Sequence, residues 1–267
     1  MTDNSWKVAV DSDGLTISSD LFTLTTNGTD PVHLEAVVSE LQSAVRGTYG
    51  QYCGLSRAAE MVGERWGILI VRDLLVGPKS AAELHTGLPK ISTALLSRRL
   101  REMTYSGVIR PAESADQTGQ ERYELTAYGR ALEEAVLAFG RWGAASLADP
   151  RQEDIVTDAS LMIALKATFL PERAEGHEVG YELDIGGHVI AARISGGVLD
   201  LEAGPLPGAD ARIDLGFALL ALMTGETTPQ DVLATGQVSV EGDAEHLARF
   251  VSMFQLPRLP APRVATV

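Results

Sequence analysis

Between residues 55 and 106 apolar side chains return every three or four positions, and two short glycine- and proline-bearing turns interrupt them. This spacing predicts a helix over 55–63 that leads into a second over 64–76. Gly77-Pro78 forms the first turn. Ser80 caps a short helix ending near Thr86, Gly87-Leu88-Pro89 turns the chain again, and Ser92 caps a third helix that stops at Gly107. On a wheel of this last helix Leu96, Leu100 and Met103 cluster on one side. Ala94, Arg98, Arg101 and Tyr105 lie opposite, with Thr93 and Ser97 at the margin. Residues 108–113 and 121–125 read as two strands joined by the polar loop Ser114–Gln120. Thr126 then opens a helix to about Leu147, along which Tyr128, Leu132, Val136, Phe139 and Trp142 form an apolar stripe. Tight turns between short helices, followed by a hairpin, are the pattern of a winged helix-turn-helix, whose third helix, 92–106 here, enters the DNA major groove.

The flanks follow other periods. Residues 5–25 alternate as three short strands with a turn at Asp13-Gly14. Asp30 and Pro31 then open a helix carrying Leu34, Val37, Val38, Leu41 and Val45 on one face. After the polar stretch Asp149–Glu153, a helix over 158–169 precedes strands over 178–185, 188–194 and 197–203, punctuated by Gly186-Gly187 and Gly196-Gly197. A fourth strand (211–215), helices over 216–224 and 229–234, a strand over 237–241 and a helix over 243–254 complete the pattern. The expected fold class is α+β, in which strands and helices segregate into layers. Three segments are expected: 1–46, a small β-meander plus helix of unassigned role; 47–149, the winged helix-turn-helix; and 150–267, a sheet-and-helix domain.

Charge sharpens the reading. The chain is acidic, with a formal net charge of −14. Residues 51–110 nevertheless hold nine Lys/Arg against five Asp/Glu, a local +4, while 151–267 carries −9. The basic patch coincides with the helix-turn-helix, as a locally steered DNA footprint requires. No apolar run reaches the ~18 residues of a membrane span, and the N-terminus lacks a basic-then-apolar leader, so a cytoplasmic location is expected. One cysteine, Cys53, excludes an intrachain disulfide and multi-cysteine metal sites. No metal and no cofactor are expected. Glu182, Asp184 and His188 flank a hairpin without a nucleophile or oxyanion site beside them, and read as surface rather than as an enzyme's acid/base set.

Two family resemblances rest on these residues. Tyr52-Cys53-Gly54-Leu55, Gly63-Glu64-Arg65-Trp66, Ile70-Val71-Arg72-Asp73-Leu74-Leu75-Val76-Gly77-Pro78, Leu88-Pro89, Ile91-Ser92, Leu96-Ser97, Arg99-Leu100-Arg101-Glu102, Gly107-Val108, Tyr123-Glu124-Leu125-Thr126 and Tyr128-Gly129-Arg130 resemble HxlR-type winged-helix transcription regulators over about 49–147. That resemblance implies a homodimer on a double-stranded DNA operator and response to a small stimulus. It also implies that Cys53, just before a helix where a thiol is activated, is a candidate redox sensor. Ala209-Asp210-Ala211-Arg212-Ile213, Leu222-Met223-Thr224-Gly225-Glu226, Ala234-Thr235-Gly236, Val238, Val240-Glu241-Gly242-Asp243, Phe250 and Phe254 are similar to sterol-carrier-protein-like domains over about 158–256. This second resemblance implies a pocket for a small apolar metabolite.

The candidate DNA-contacting residues are therefore Thr93, Ala94, Ser97, Arg98 and Arg101 on the third helix, with Arg110, Gln117, Thr118 and Arg122 on the wing. The candidate ligand-lining residues are Leu165, Phe169, Leu219, Leu222, Met223, Phe250, Met253 and Phe254. The reading is a dimeric, effector-controlled transcription regulator and not an enzyme. An apolar-ligand carrier, or an enzyme in a repurposed pocket, using the winged-helix fold without DNA, stands as the alternative.

Overall fold

The computed structural model describes residues 7–11, 14–19, 22–26, 48–113, 120–147 and 153–257. The predicted 34–45 helix, the wing-loop residues Gln117 and Thr118, and most of the 149–153 stretch lie outside these. Met1–Glu60 and Met61–Val267 are two separate compact units. In the first, strands β1 (Lys7–Asp11), β2 (Gly14–Ser19) and β3 (Phe22–Thr26) form an antiparallel meander with Val8 opposite Ile17 and Ile17 opposite Leu24. Helix α1 (Gly54–Val62) follows, and its last residues, Met61 and Val62, belong to the second unit.

The second unit begins its regular structure with α2 (Gly67–Leu75), whose Ile70, Val71 and Leu74 are wholly enclosed. Gly77 turns the chain at φ 139°, and the two-residue strand β4 (Lys79–Ser80) leads into α3 (Ala81–Gly87). Ser80 and Glu83 form a reciprocal capping box at its start: the Glu83 N–H donates to Ser80 Oγ at 3.2 Å, and the Ser80 N–H donates to Glu83 Oε2 at 2.6 Å. Helix α4 (Thr93–Tyr105) is capped by Ser92, whose Oγ accepts from the Leu95 N–H. It ends in a Schellman motif on Gly107 (φ 70°), with Val108 N–H bonding to Met103 O and Gly107 N–H to Thr104 O. Strands β5 (Ile109–Pro111) and β6 (Arg122–Leu125) pair antiparallel, and β4 adds to the far edge of β6, giving the order β4-β6-β5.

The helix expected over 126–147 is broken. Thr126 caps a short α5 (Ala127–Arg130), and α6 (Glu133–Ala144) starts afresh. Gly129, within α5, lies so close to the wing that a Cβ there would stand 2.0 Å from the Val108 carbonyl oxygen. The turn then tightens through an i→i+3 bond from Leu132 N–H to Gly129 O.

Beyond it, α7 (Asp158–Thr168) is capped by Thr157 with Ser160, and a short α8 (Pro171–Ala174) follows. Strands β7 (Glu178–Ile185), β8 (His188–Ser195) and β9 (Val198–Ala203) form a meander. Its two-residue turns are Gly186-Gly187 (φ 63° and 89°) and Gly196-Gly197 (φ 55° and 80°), the positive-φ pairs that match strand twist. Strand β10 (Ala211–Asp214) lies parallel to β7, and β11 (Ser239–Glu241) closes that edge, for an order β11-β10-β7-β8-β9. Helices α9 (Leu219–Thr224), α10 (Pro229–Ala234) and α11 (Glu245–Ser252) complete the layer.

Among the described residues two apolar cores result. One joins α2, α3, α4 and the wing through Ile70, Leu74, Leu84, Leu96, Leu100 and Met103. The other fills the larger sheet through Tyr181, Ile190, Ile213, Leu222 and Phe250. Helix α7 belongs to both: Ile163 is buried in the first, Met162 and Leu165 in the second. Polar bonds fix α7 to α6, from Lys166 Nζ to Glu133 Oε1 at 2.8 Å and from the Arg141 guanidinium to the Ala167 carbonyl at 3.1 Å. Among the described residues no helix is long and apolar enough to cross a membrane, and no cluster of His, Cys, Asp or Glu is arranged to hold a metal.

Candidate nucleic-acid interface and apolar core

Helix α4 sets the candidate interface because one of its faces is locked. Leu96, Leu100 and Met103 are almost completely enclosed, which fixes the rotation of the helix about its own axis. The opposite face consequently stands in solvent. Thr93, Ala94, Arg98 and Arg101 are exposed, and Ser97 is half-buried. Thr93 and Ala94 occupy the first turn, the part of such a helix that meets base edges. Among the described residues Arg98 makes only a long approach to Glu102, at 3.9 Å. Arg101 has no ion pair among the described residues. Its charge is felt at Tyr123, whose hydroxyl burial pushes up in pKa and Arg101 draws down.

Arg99 points elsewhere. Its guanidinium binds Glu102 at 2.6 Å and Glu64 at 2.7 Å, tying α4 to the segment ahead of α2. The two described wing arginines are also engaged within the protein. Arg110 pairs with Glu124 at 2.7 Å across the strands and with Glu113 at 3.7 Å. Arg122 turns back to Glu83 and to the Pro78 carbonyl. Its guanidinium therefore buttresses the start of α3, a role the strand pattern gave no sign of. The carboxyl of Glu83 is held below the usual carboxylate range first by the Ser80 N–H, with Arg122 and Lys79 adding to it.

Cys53 is exposed and immediately precedes α1. Its thiol is held below its ordinary range by the backbone N–H groups of Ser56 and Leu55.

The eight candidate ligand-lining residues are brought together in the second core. Leu165, Leu219, Leu222, Met223, Phe250, Met253 and Phe254 are buried, and Phe169 packs against them. Phe169 and Phe254 face each other in an isolated antiparallel bridge, and the backbone bonds that flank it, from Leu170 N–H to Met253 O and from Gln255 N–H to Thr168 O, close the end of α7 onto the end of α11. Rings run in a ladder: Phe169 to Phe254 at 5.4 Å, Phe254 to Phe250 at 4.5 Å and Phe250 to Tyr181 at 5.5 Å. His188, which reads as surface in the sequence, bonds Asp158 at the start of α7 at 2.6 Å. Glu182 accepts from the Leu206 N–H and pairs with Arg212, and Asp184 accepts from the Gly187 N–H. All three hold the fold.

Comparison with known proteins locates the relationship in the helix-turn-helix. A family model of the HxlR-like helix-turn-helix matches residues 61–150. Over 85 residues the chain is 34% identical to the HTH-type transcriptional regulator YtcD of Bacillus subtilis (strain 168), covering 32% of this chain and 68% of that protein. Over 86 residues it is 32% identical to the HTH-type regulator YvaP of the same organism, covering 32% of this chain and 80% of that one. Among solved structures, the reduced form of the transcriptional regulator YodB from B. subtilis is 28% identical, with a TM-score of 0.31, over 38% of this chain and all of that one.

Proposed function

The chain belongs to the HxlR-like helix-turn-helix family, and from that membership we propose that it is a dimeric, DNA-binding transcription regulator controlled by a small apolar effector. The observation that carries the DNA half is the outward face of α4: Thr93, Ala94, Ser97, Arg98 and Arg101 project from a helix whose other face is locked in the core. An arginine on such a face forks onto guanine or phosphate oxygens. The wing is a second contact, through the loop that holds Gln117 and Thr118.

In this reading residues 47–149 bind DNA and form the dimer, and 150–267 are a sterol-carrier-like effector domain. Support for the dimer comes from α6 and its flanks. Phe139 is 56% exposed and Trp142 71%, and Tyr128 and Leu147 are also exposed. Large apolar groups gathered on one short segment mark a surface that a partner covers. A second copy placing its own α4 one DNA turn away, roughly 34 Å, fits a two-fold operator.

Support for effector control comes from α7. Because it buries Ile163 in one core and Met162 and Leu165 in the other, a rearrangement of the second core moves a helix on which the first is packed. The effector shifts DNA affinity only as far as it binds the two arrangements differently, and a coupling of ~1–3 kcal/mol is typical. Selection of genomic fragments with the purified protein, followed by operator titration with and without apolar metabolites that raise its melting temperature, tests the reading. A specific fragment whose affinity responds to such a metabolite supports it; no selected fragment refutes it.

A further inference from the structure

Glu102 is an acidic side chain on the helix that carries the outward arginines. It follows Arg98 by four positions and Arg99 by three, so both guanidinium groups can reach its carboxylate. They reach it unequally. Arg99 bonds Glu102 Oε2 at 2.6 Å, whereas Arg98 Nε stays 3.9 Å from Oε1, beyond hydrogen-bond range. The Arg99 side chain is 16% exposed and that of Arg98 58%. The inner arginine therefore holds the carboxylate where salt and water screen the bond least.

Arg99 is itself fixed. Its second terminal nitrogen bonds Glu64 at 2.7 Å, ahead of α2. The remaining donor, Nε, is buried without a hydrogen-bond partner among the described residues. Two carboxylates thus hold this guanidinium in place. The consequence lies on the neighbouring face of α4. Arg98 keeps its charge and its donors toward solvent, in line with Ala94 and Arg101. A carboxylate left loose at Glu102 would do the reverse. It would close on Arg98 as an ordinary i,i+4 pair, and it would set an uncompensated negative charge on the helix that approaches phosphates.

We propose that Arg99 is a positioning residue for DNA recognition: by holding Glu102 to the flank of α4 it keeps Arg98 available for nucleic acid. This rests on the reading of α4 as the helix that meets DNA. Arg99 itself touches neither base nor phosphate and acts through Glu102. Its bond to Glu64 anchors the helix and is a separate task. Loss of Arg99 is damaging because Glu102 remains, so removing Glu102 as well undoes the damage. A residue that contacted DNA directly could not be replaced in that way, and neither could one needed only for the fold.

The test is a double-mutant cycle on the full-length protein, read as affinity for a selected genomic fragment at fixed salt. Arg99→Gln should bind about ten-fold more weakly than wild type. Glu102→Gln should change affinity less than about three-fold with Arg99 present, yet raise it about ten-fold in the Arg99→Gln protein. Glu64→Gln cuts the anchor alone: it should lower the melting temperature and leave affinity within about three-fold of wild type. Circular dichroism accompanies each variant, and Arg99→Met, of similar length, replaces Arg99→Gln if the latter unfolds. No loss on neutralising Arg99, equal effects of Glu102→Gln in both backgrounds, or a loss in Glu64→Gln as large as in Arg99→Gln would each overturn the proposal and leave the DNA-binding reading intact. A wild-type protein that selects no fragment would overturn both.

Discussion

Arg122 is bonded to Glu83: its guanidinium nitrogen lies 3.1 Å from both carboxylate oxygens, and the same carboxylate accepts the Ser80 N–H. A wing strand is thereby fastened to the first turn of α3, the helix that precedes α4. Glu83→Gln should weaken this clasp while keeping its shape. The sign with pH is fixed by the depressed carboxyl. Glu83 contributes stability above its unfolded pKa of about 4.3, and that contribution fades as the pH falls through the still lower folded value. Urea midpoints of the wild type and Glu83→Gln, measured at neutral pH and again in the acid range, should therefore differ at neutral pH and converge in acid. A gap that persists unchanged into acid would show that the carboxylate's charge is not what fastens the wing.

Gly129 lets the helices approach the wing backbone closely. A methyl group there would stand 2.0 Å from Val108 O and 3.1 Å from a Leu125 methyl carbon. Since backbone cannot yield as a flexible side chain does, Gly129→Ala should destabilise by ~1–3 kcal/mol, although alanine is the better helix former. Gly143, at the end of α6, has nothing within 4 Å of its would-be Cβ. Gly143→Ala should be neutral or slightly stabilising in the same denaturation experiment, and equal effects at the two positions would contradict the packing argument.

The dimer reading predicts a separation of folding from assembly. Phe139 and Trp142 are exposed in the single chain, so Phe139→Asp should leave the circular dichroism spectrum and melting profile of the protomer unaltered. Sedimentation equilibrium should shift from dimer to monomer. A wild-type protein that is monomeric at micromolar concentration would remove this surface from the account.

Much of the helix-turn-helix was legible because its signals are local. Ser80 with Glu83, Ser92, Gly107 and Thr126 each cap or end a helix with partners no more than a few residues away. The enclosed side of α4, Leu96, Leu100 and Met103, follows from helical period alone. The paired glycines predicted the turns of the β7–β8–β9 meander for the same reason. What the pattern left hidden depends on distant neighbours. Gly129 is held against a carbonyl twenty-one positions earlier, and nothing around Leu132 announces the break before α6. Arg110 and Arg122 read as outward wing cations, yet Glu124 and Glu83, brought close only by the fold, engage both. The ring contact of Tyr181 with His246 gave no signal at all, because an alternating strand and an amphipathic helix do not say which of their inward groups will meet.

The central claim is that the outward face of α4 reads DNA, and salt-dependent titration of a selected genomic fragment tests it most directly. Wild type, Arg98→Ala and Arg101→Ala should be compared on that fragment and on an unrelated duplex of equal length. An arginine that reads a base should lose ~1–3 kcal/mol on the selected fragment alone; one that holds a phosphate should weaken both duplexes and lower the salt slope by about one unit. Binding that neither substitution changes, on either duplex and at any salt concentration, would contradict the account.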